Sequence, residues 1–83
     1  MSHSLKEKRA VVKPILDGAR RRYQVSASEV AHHDQWQRAV LGFAVVAPSP
    51  SHAEEVLDAV DRFVWSFPEI EVLTTERVWA DAE

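Results

Sequence analysis

The chain is 83 residues long, contains no Cys and carries a formal net charge of −3. That length admits one small domain burying only about 60–65% of its unfolded surface, and the lack of Cys excludes disulfides, thiolate metal sites and a Cys nucleophile. No apolar run reaches the roughly 18 residues that span a bilayer and no signal-peptide core follows Met1, so no membrane partner and a cytoplasmic location are expected.

The charge is unevenly spread. Residues 1–38 hold eight Lys and Arg against four acids, a net +4, whereas residues 39–83 hold two against nine, a net −7. Such polarity steers an anionic partner to one end, or pairs two copies acidic half to basic half. The negative total argues against indiscriminate nucleic-acid binding.

In chain order, Ser4 and Glu7 have capping-box spacing, so a first helix is expected from about Leu5. At about 100° per residue, Leu5, Val12, Ile15, Leu16, Ala19 and Tyr23 share one arc. Lys6, Arg9, Lys13 and Arg20 form a stripe beside it, extended by Arg21 and Arg22. Pro14 lies within the helix but away from the apolar arc, which predicts a kink and not a break. A moderate strand is expected over Val25–Ala31, then a polar turn, "HHDQWQR". "AVLGFAVVA", Ala39–Ala47, is the clearest strand and is apolar on both faces. After a "PSPS" loop, Ser51 and Glu54 suggest a second capping box. A second helix is expected from about His52 to Ser66, stopped by Pro68. "EIEVLTTERVW" reads as a closing strand. The expected order is α-β-β-α-β, an α+β single domain over residues 1–83.

Three groups carry possible chemistry. Lys6, Arg9, Lys13 and Arg20 on the first helix, with Arg38, suit contacts to RNA phosphates, and Trp36 is a candidate base stacker. The plainer alternative is a solvated helix face with a Trp that pins its loop. His32, His33 and Asp34 include metal-ligand types, yet adjacent His residues on an extended chain point apart. Neither a metal site, even with His3 and His52, nor acid–base catalysis is expected of them. Trp65 lies off the apolar arc of the second helix, near Asp58 and Asp61, and suits a protein contact. With only Gly18 and Gly42 present, no P-loop or dinucleotide fingerprint exists, and no cofactor or small-molecule substrate is expected. A single aromatic, Phe43, on the central strand excludes the stacking platform of an RNA-recognition motif.

"HSLKEKR", "HHDQWQRAVLGFAVV", "HAEEVLDAVDRF" and "PEIEVLTTE" together resemble the YlxP-like family, a bacterial family of unknown function, over nearly the whole chain. The matched residues are Ser4, Leu5, Lys6, Lys8, Arg9, Glu29, His32, Asp34, Trp36, Gln37, Arg38 and Gly42. His33 stands where Gln is frequent, and Ala31 where an acid is frequent. The resemblance implies a ferredoxin-like βαββαβ sandwich, with an antiparallel sheet and two helices on one face. The family's genes often neighbour translation-initiation and ribosome-assembly genes, which implies ribosomal RNA or a ribosomal subunit as partner. Family members begin with an apolar strand before "HSLKEKR", and that central strand is absent here. A start codon called too late is the favoured expectation, ahead of a strand supplied by another molecule or a sheet that closes up. Apolar Val40, Ala44 and Val46 on the face away from the helices lead to an expected homodimer through that face or through sheet edges. The functional expectation is a non-catalytic RNA- or ribosome-associated factor, and the alternative is a dimeric protein-interaction module.

Overall fold

The computed structural model of the chain describes residues 4–80. Helix α1 spans Leu5–Tyr23, strand β1 Ser26–Ala31, strand β2 Val40–Ala44 and helix α2 Pro50–Trp65. This is the α+β, ferredoxin-like arrangement expected for the central part of the chain.

Ser4 caps α1 as its spacing predicts, its hydroxyl accepting from the Glu7 N–H at 3.1 Å. The helix runs through Pro14 and ends on Gln24, whose left-handed backbone (φ 55°) sends its N–H back to the Arg20 carbonyl. The second cap differs from expectation. It falls on Ser49, which accepts from the His52 N–H at 3.2 Å, and not on Ser51. Pro50 explains the shift: its fixed φ and missing N–H suit the first helical position, so the residue before it becomes the cap.

Strands β1 and β2 pair antiparallel, with Ala27 opposite Phe43 and Glu29 opposite Leu41, and the register slips between Glu29 and Ala31. Ala27 and Phe43 therefore face the helices. Ser26, Ser28, Gly42 and Ala44 face the other way. The core joins Ala19 of α1, Val25 and Val60 of α2, with Tyr23, Phe43, Val45, Val56, Phe63 and Val64 around them. Ile15 is fully buried, a burial that contributes about 1.5–3 kcal/mol. Gly18 brings the helices close, since a Cβ there would lie 2.5 Å from Phe63 Cζ. Phe63 in turn packs edge-on against Tyr23 and Phe67, with ring centroids 5.8 and 5.1 Å apart.

The expected closing strand over "EIEVLTTERVW" does not form among the described residues. A strand requires a ladder partner, and among the described residues the sheet holds only β1 and β2. The expected sandwich sets the closing strand beyond a central strand that the described residues lack. The segment instead turns back on α2, where Arg77 pairs with Asp58 at 2.9 Å. The expected strand Ala39–Ala47 is also shortened to Val40–Ala44, which leaves Val46 outside the ladder.

Candidate nucleic-acid interface

The site is organised by Lys8, a lysine buried to 5% exposure on the inner face of α1 with Val12, Ile15 and Ala19. A lone ammonium at such depth is costly unless all its donors are used. They are. Lys8 Nζ donates to Glu29 Oε2 at 2.7 Å, to the His32 carbonyl at 2.9 Å and to the Arg38 carbonyl at 3.1 Å. Glu29 comes from the helix-facing side of β1, just before the register slip. The two carbonyls come from opposite ends of the β1–β2 connection, so a single side chain closes the loop 32–39 against α1.

Local bonds stiffen the loop further. His32 takes a left-handed backbone (φ 64°), and its carbonyl also accepts from the Gln35 N–H at 3.0 Å. His33 Nε2 lies 2.9 Å from the Glu29 carbonyl. Asp34, Gln35, half-buried Trp36 and Gln37 then line a shallow pocket of about 260 Å³.

The cations divide into two sets. Lys6 and Arg9 flank Lys8 in sequence and are exposed, and the Lys8 bond brings the Arg38 backbone to the same end of α1. These three side chains form no ion pair among the described residues. Farther along α1, Lys13 and Arg20 share one carboxylate, with Asp17 contacts of 2.6 and 2.9 Å. The hydrogen bond from Lys13, with attraction to Lys13 and Arg20, outweighs desolvation and holds the Asp17 carboxyl below its ordinary value. Arg20 also donates to the Ala27 carbonyl, Arg21 to the Asp17 carbonyl, and Arg22 lies 5.0 Å over the Phe63 ring. Of the expected phosphate set, the fold gathers Lys6, Arg9, Arg38 and the Trp36 loop at one end. It places Lys13 and Arg20 on a compensated stretch.

Comparison with known proteins fixes the family. The family described as "Protein of unknown function (DUF503)" matches residues 1–77. A curated relative, "Uncharacterized protein YlxP" of Bacillus subtilis (strain 168), is 46% identical over 76 residues, which is 92% of this chain and 83% of the relative. The chain belongs to the DUF503 family. The YlxP-like resemblance is thereby confirmed, and no solved structure matches the chain.

Within this DUF503 domain, sequence reasoning passed over Lys8 as an organiser. The signal was present: Lys8 lies four residues before Val12, seven before Ile15 and eleven before Ala19, inside the apolar arc. Its acidic partner sits 21 residues away, a separation that helical periodicity does not register. The expected contact residues Val40, Val46 and Trp65 are exposed to 42, 101 and 60%, and Ala44 is exposed as well. Ser26 and Ser28 sit opposite Ala44 and Gly42, so the outer sheet face is more polar than β2 alone implies. Among the described residues no three His, Cys, Asp or Glu gather as a metal site, and His3 lies outside those residues. No helix is long and apolar enough to cross a membrane.

Proposed function

We propose that this DUF503 chain is a non-catalytic, cytoplasmic RNA-binding factor that works on the ribosome or its assembly. It holds the phosphate backbone through α1 and the loop that leads into β2. The observation that supports this reading most is that Lys6 and Arg9, in the first turns of α1, and Arg38, whose backbone Lys8 ties to that end of the helix, are all exposed and form no ion pair among the described residues, on a chain of net charge −3. Three such cations displace counterions from a phosphate chain, a term that weakens as salt rises. Lys13 and Arg20 extend the track along α1, with Lys6 and Arg20 about 21 Å apart along the axis. The acidic half keeps non-specific binding low. Ribosomal RNA is the first partner to test because of the family's gene neighbourhood.

The test is co-sedimentation with ribosomal subunits across a salt series, beside a Lys6→Glu/Arg9→Glu/Arg38→Glu variant. The wild type is expected to travel with one subunit at low salt and to leave it as salt rises. The variant is expected to stay at the top of the gradient. A wild type that stays at the top throughout, or a variant that binds equally well, overturns the reading.

Exposed Val40, Val46 and Trp65 favour a second reading, a dimeric protein-interaction module without nucleic-acid binding. Light scattering at micromolar concentration separates the two. A salt-insensitive dimer that Val40→Lys/Val46→Lys dissolves supports the second reading, and a monomer removes it.

A further inference from the structure

We propose that the cleft between the end of α1 and the middle of α2 binds a free α-amino acid with an apolar side chain. The inference goes beyond the RNA reading and does not rest on it, since Arg22 in the cleft lies about 20 Å along α1 from Arg9. Arg22, Tyr23 and Gln24 form one wall and Glu55, Val56 and Ala59 the other, around a space of about 350 Å³. That volume lies at the small end of the roughly 300–1,000 Å³ of ligand sites. Local structure explains the shape. Gln24 ends α1 with a left-handed backbone, and the chain leaves there for β1. On α2, Glu55, Val56 and Ala59 fall within about 100° of one another and so share one side. Ala59 brings only a methyl to that side, which keeps the cleft open.

The lining is apolar at its base and charged on both walls. Val56 and Ala59 are half-buried, and so is Tyr23, whose ring packs edge-on against Phe63. Arg22 holds its guanidinium 5.0 Å over the same Phe63 ring, which fixes the head group at the cleft. A guanidinium carries five N–H donors, and Arg22 gives none to a carboxylate among the described residues. Glu55 on the facing wall is exposed and likewise forms no ion pair among them. Two opposite charges thus line one cleft without joining each other. A ligand with both signs on one carbon joins them. Its carboxylate meets the Arg22 fork, its ammonium meets Glu55, and its side chain covers Val56 and Ala59. A ligand of a single sign leaves one wall unmatched. Both charged groups are open to water, so the affinity is expected in the millimolar range.

The experiment is a titration of the isotope-labelled 83-residue chain with L-phenylalanine to about 20 mM, read as amide shifts by NMR. Phenylalaninamide, which lacks the carboxylate, and N-acetylphenylalanine, which lacks the ammonium, are titrated beside it. The two analogues also stand for the two ends of a peptide. Arg22→Gln and Glu55→Gln accompany the wild type, and both change exposed side chains, so both should fold. L-Phenylalanine is expected to move the amides of Arg22–Gln24 and Glu55–Ala59 in a saturating way. Each analogue, and each variant with L-phenylalanine, should bind about five- to tenfold more weakly. No shift in those two segments at the highest concentration overturns the proposal. So does an analogue that binds as well as L-phenylalanine, which would make the cleft a site for a peptide end or for a bare aromatic ring. A pair of Gln variants that both bind like the wild type overturns it as well. None of these results bears on ribosome co-sedimentation, so the two readings fail separately.

Discussion

Two lysine–carboxylate pairs on one helix make the clearest contrast in this molecule. Lys8–Glu29 and Lys13–Asp17 have nearly the same length, 2.7 and 2.6 Å. The first pair is 6 and 15% exposed and the second 75 and 37%. Water competes for every donor of Lys13 and for few of Lys8. Length therefore says little about what a pair does, and surroundings say most. The buried pair holds a loop in place, whereas the exposed pair adjusts the charge of a surface.

The sharpest way to break this contrast is to remove each lysine. Lys8→Ala leaves the Glu29 carboxylate and two loop carbonyls without their donor, and such losses cost about 3–5 kcal/mol. Since a chain of this size is stable by roughly 4–12 kcal/mol, the variant is expected to be largely unfolded or to melt far below the wild type in urea. Lys13→Ala, on the same helix, should leave the midpoint unchanged within error. A Lys8→Ala midpoint equal to the wild type would show that water replaces the clasp. Lys8→Met/Glu29→Met sharpens the point. With both charges gone, most of the loss should return, less the share of the His32 and Arg38 carbonyls.

A smaller effect comes from packing farther along α1, where Gly18 meets the Phe63 ring. Gly18→Val is expected to cost about 1–3 kcal/mol, because its side chain meets Phe63, which Tyr23 and Phe67 already flank. Phe63→Leu in the same chain should relieve part of that cost. If Gly18→Val melts at the wild-type midpoint, the two helices are less closely packed than their contact indicates.

These expectations also mark how far the sequence could be read. Local signals gave the Ser4 cap, the α1 arc and the apolar core of β2, because each depends on residues within a turn or a pleat of one another. Ser49 was missed for a local reason: Pro50 outweighed the Ser51–Glu54 spacing. The segment after α2 was misread for a non-local one. Its alternation suits a strand, but alternation does not supply a partner edge. The loop clasp was half legible. Lys8 sat in the apolar arc, where a charge signals a buried partner, yet only the fold brings Glu29 and the two carbonyls to it. The stripe looked uniform in sequence, and the single carboxylate of Asp17 divides it.

Asp17 gives the smallest predicted effect and the one most directly tied to function. Asp17→Asn removes the anion between Lys13 and Arg20, so RNA affinity should rise by roughly two- to fivefold at low salt, and the gain should shrink as salt screens it. Stability should respond in the opposite sense, and that difference should vanish in acid. Because the folded state holds the Asp17 carboxyl below its ordinary value of 3.8, the contribution is present above that pH and is lost as pH falls through the lower folded value. The wild type should therefore be slightly more stable than Asp17→Asn near neutrality, and the two melting curves should converge in acid, once the carboxyl is protonated in the folded state as well. Full affinity gain with no acid convergence would mean that Asp17 acts on RNA by charge alone and does not order Lys13 and Arg20. Convergence without any gain in affinity would place this stretch of α1 outside the RNA contact and confine binding to the end held by Lys8.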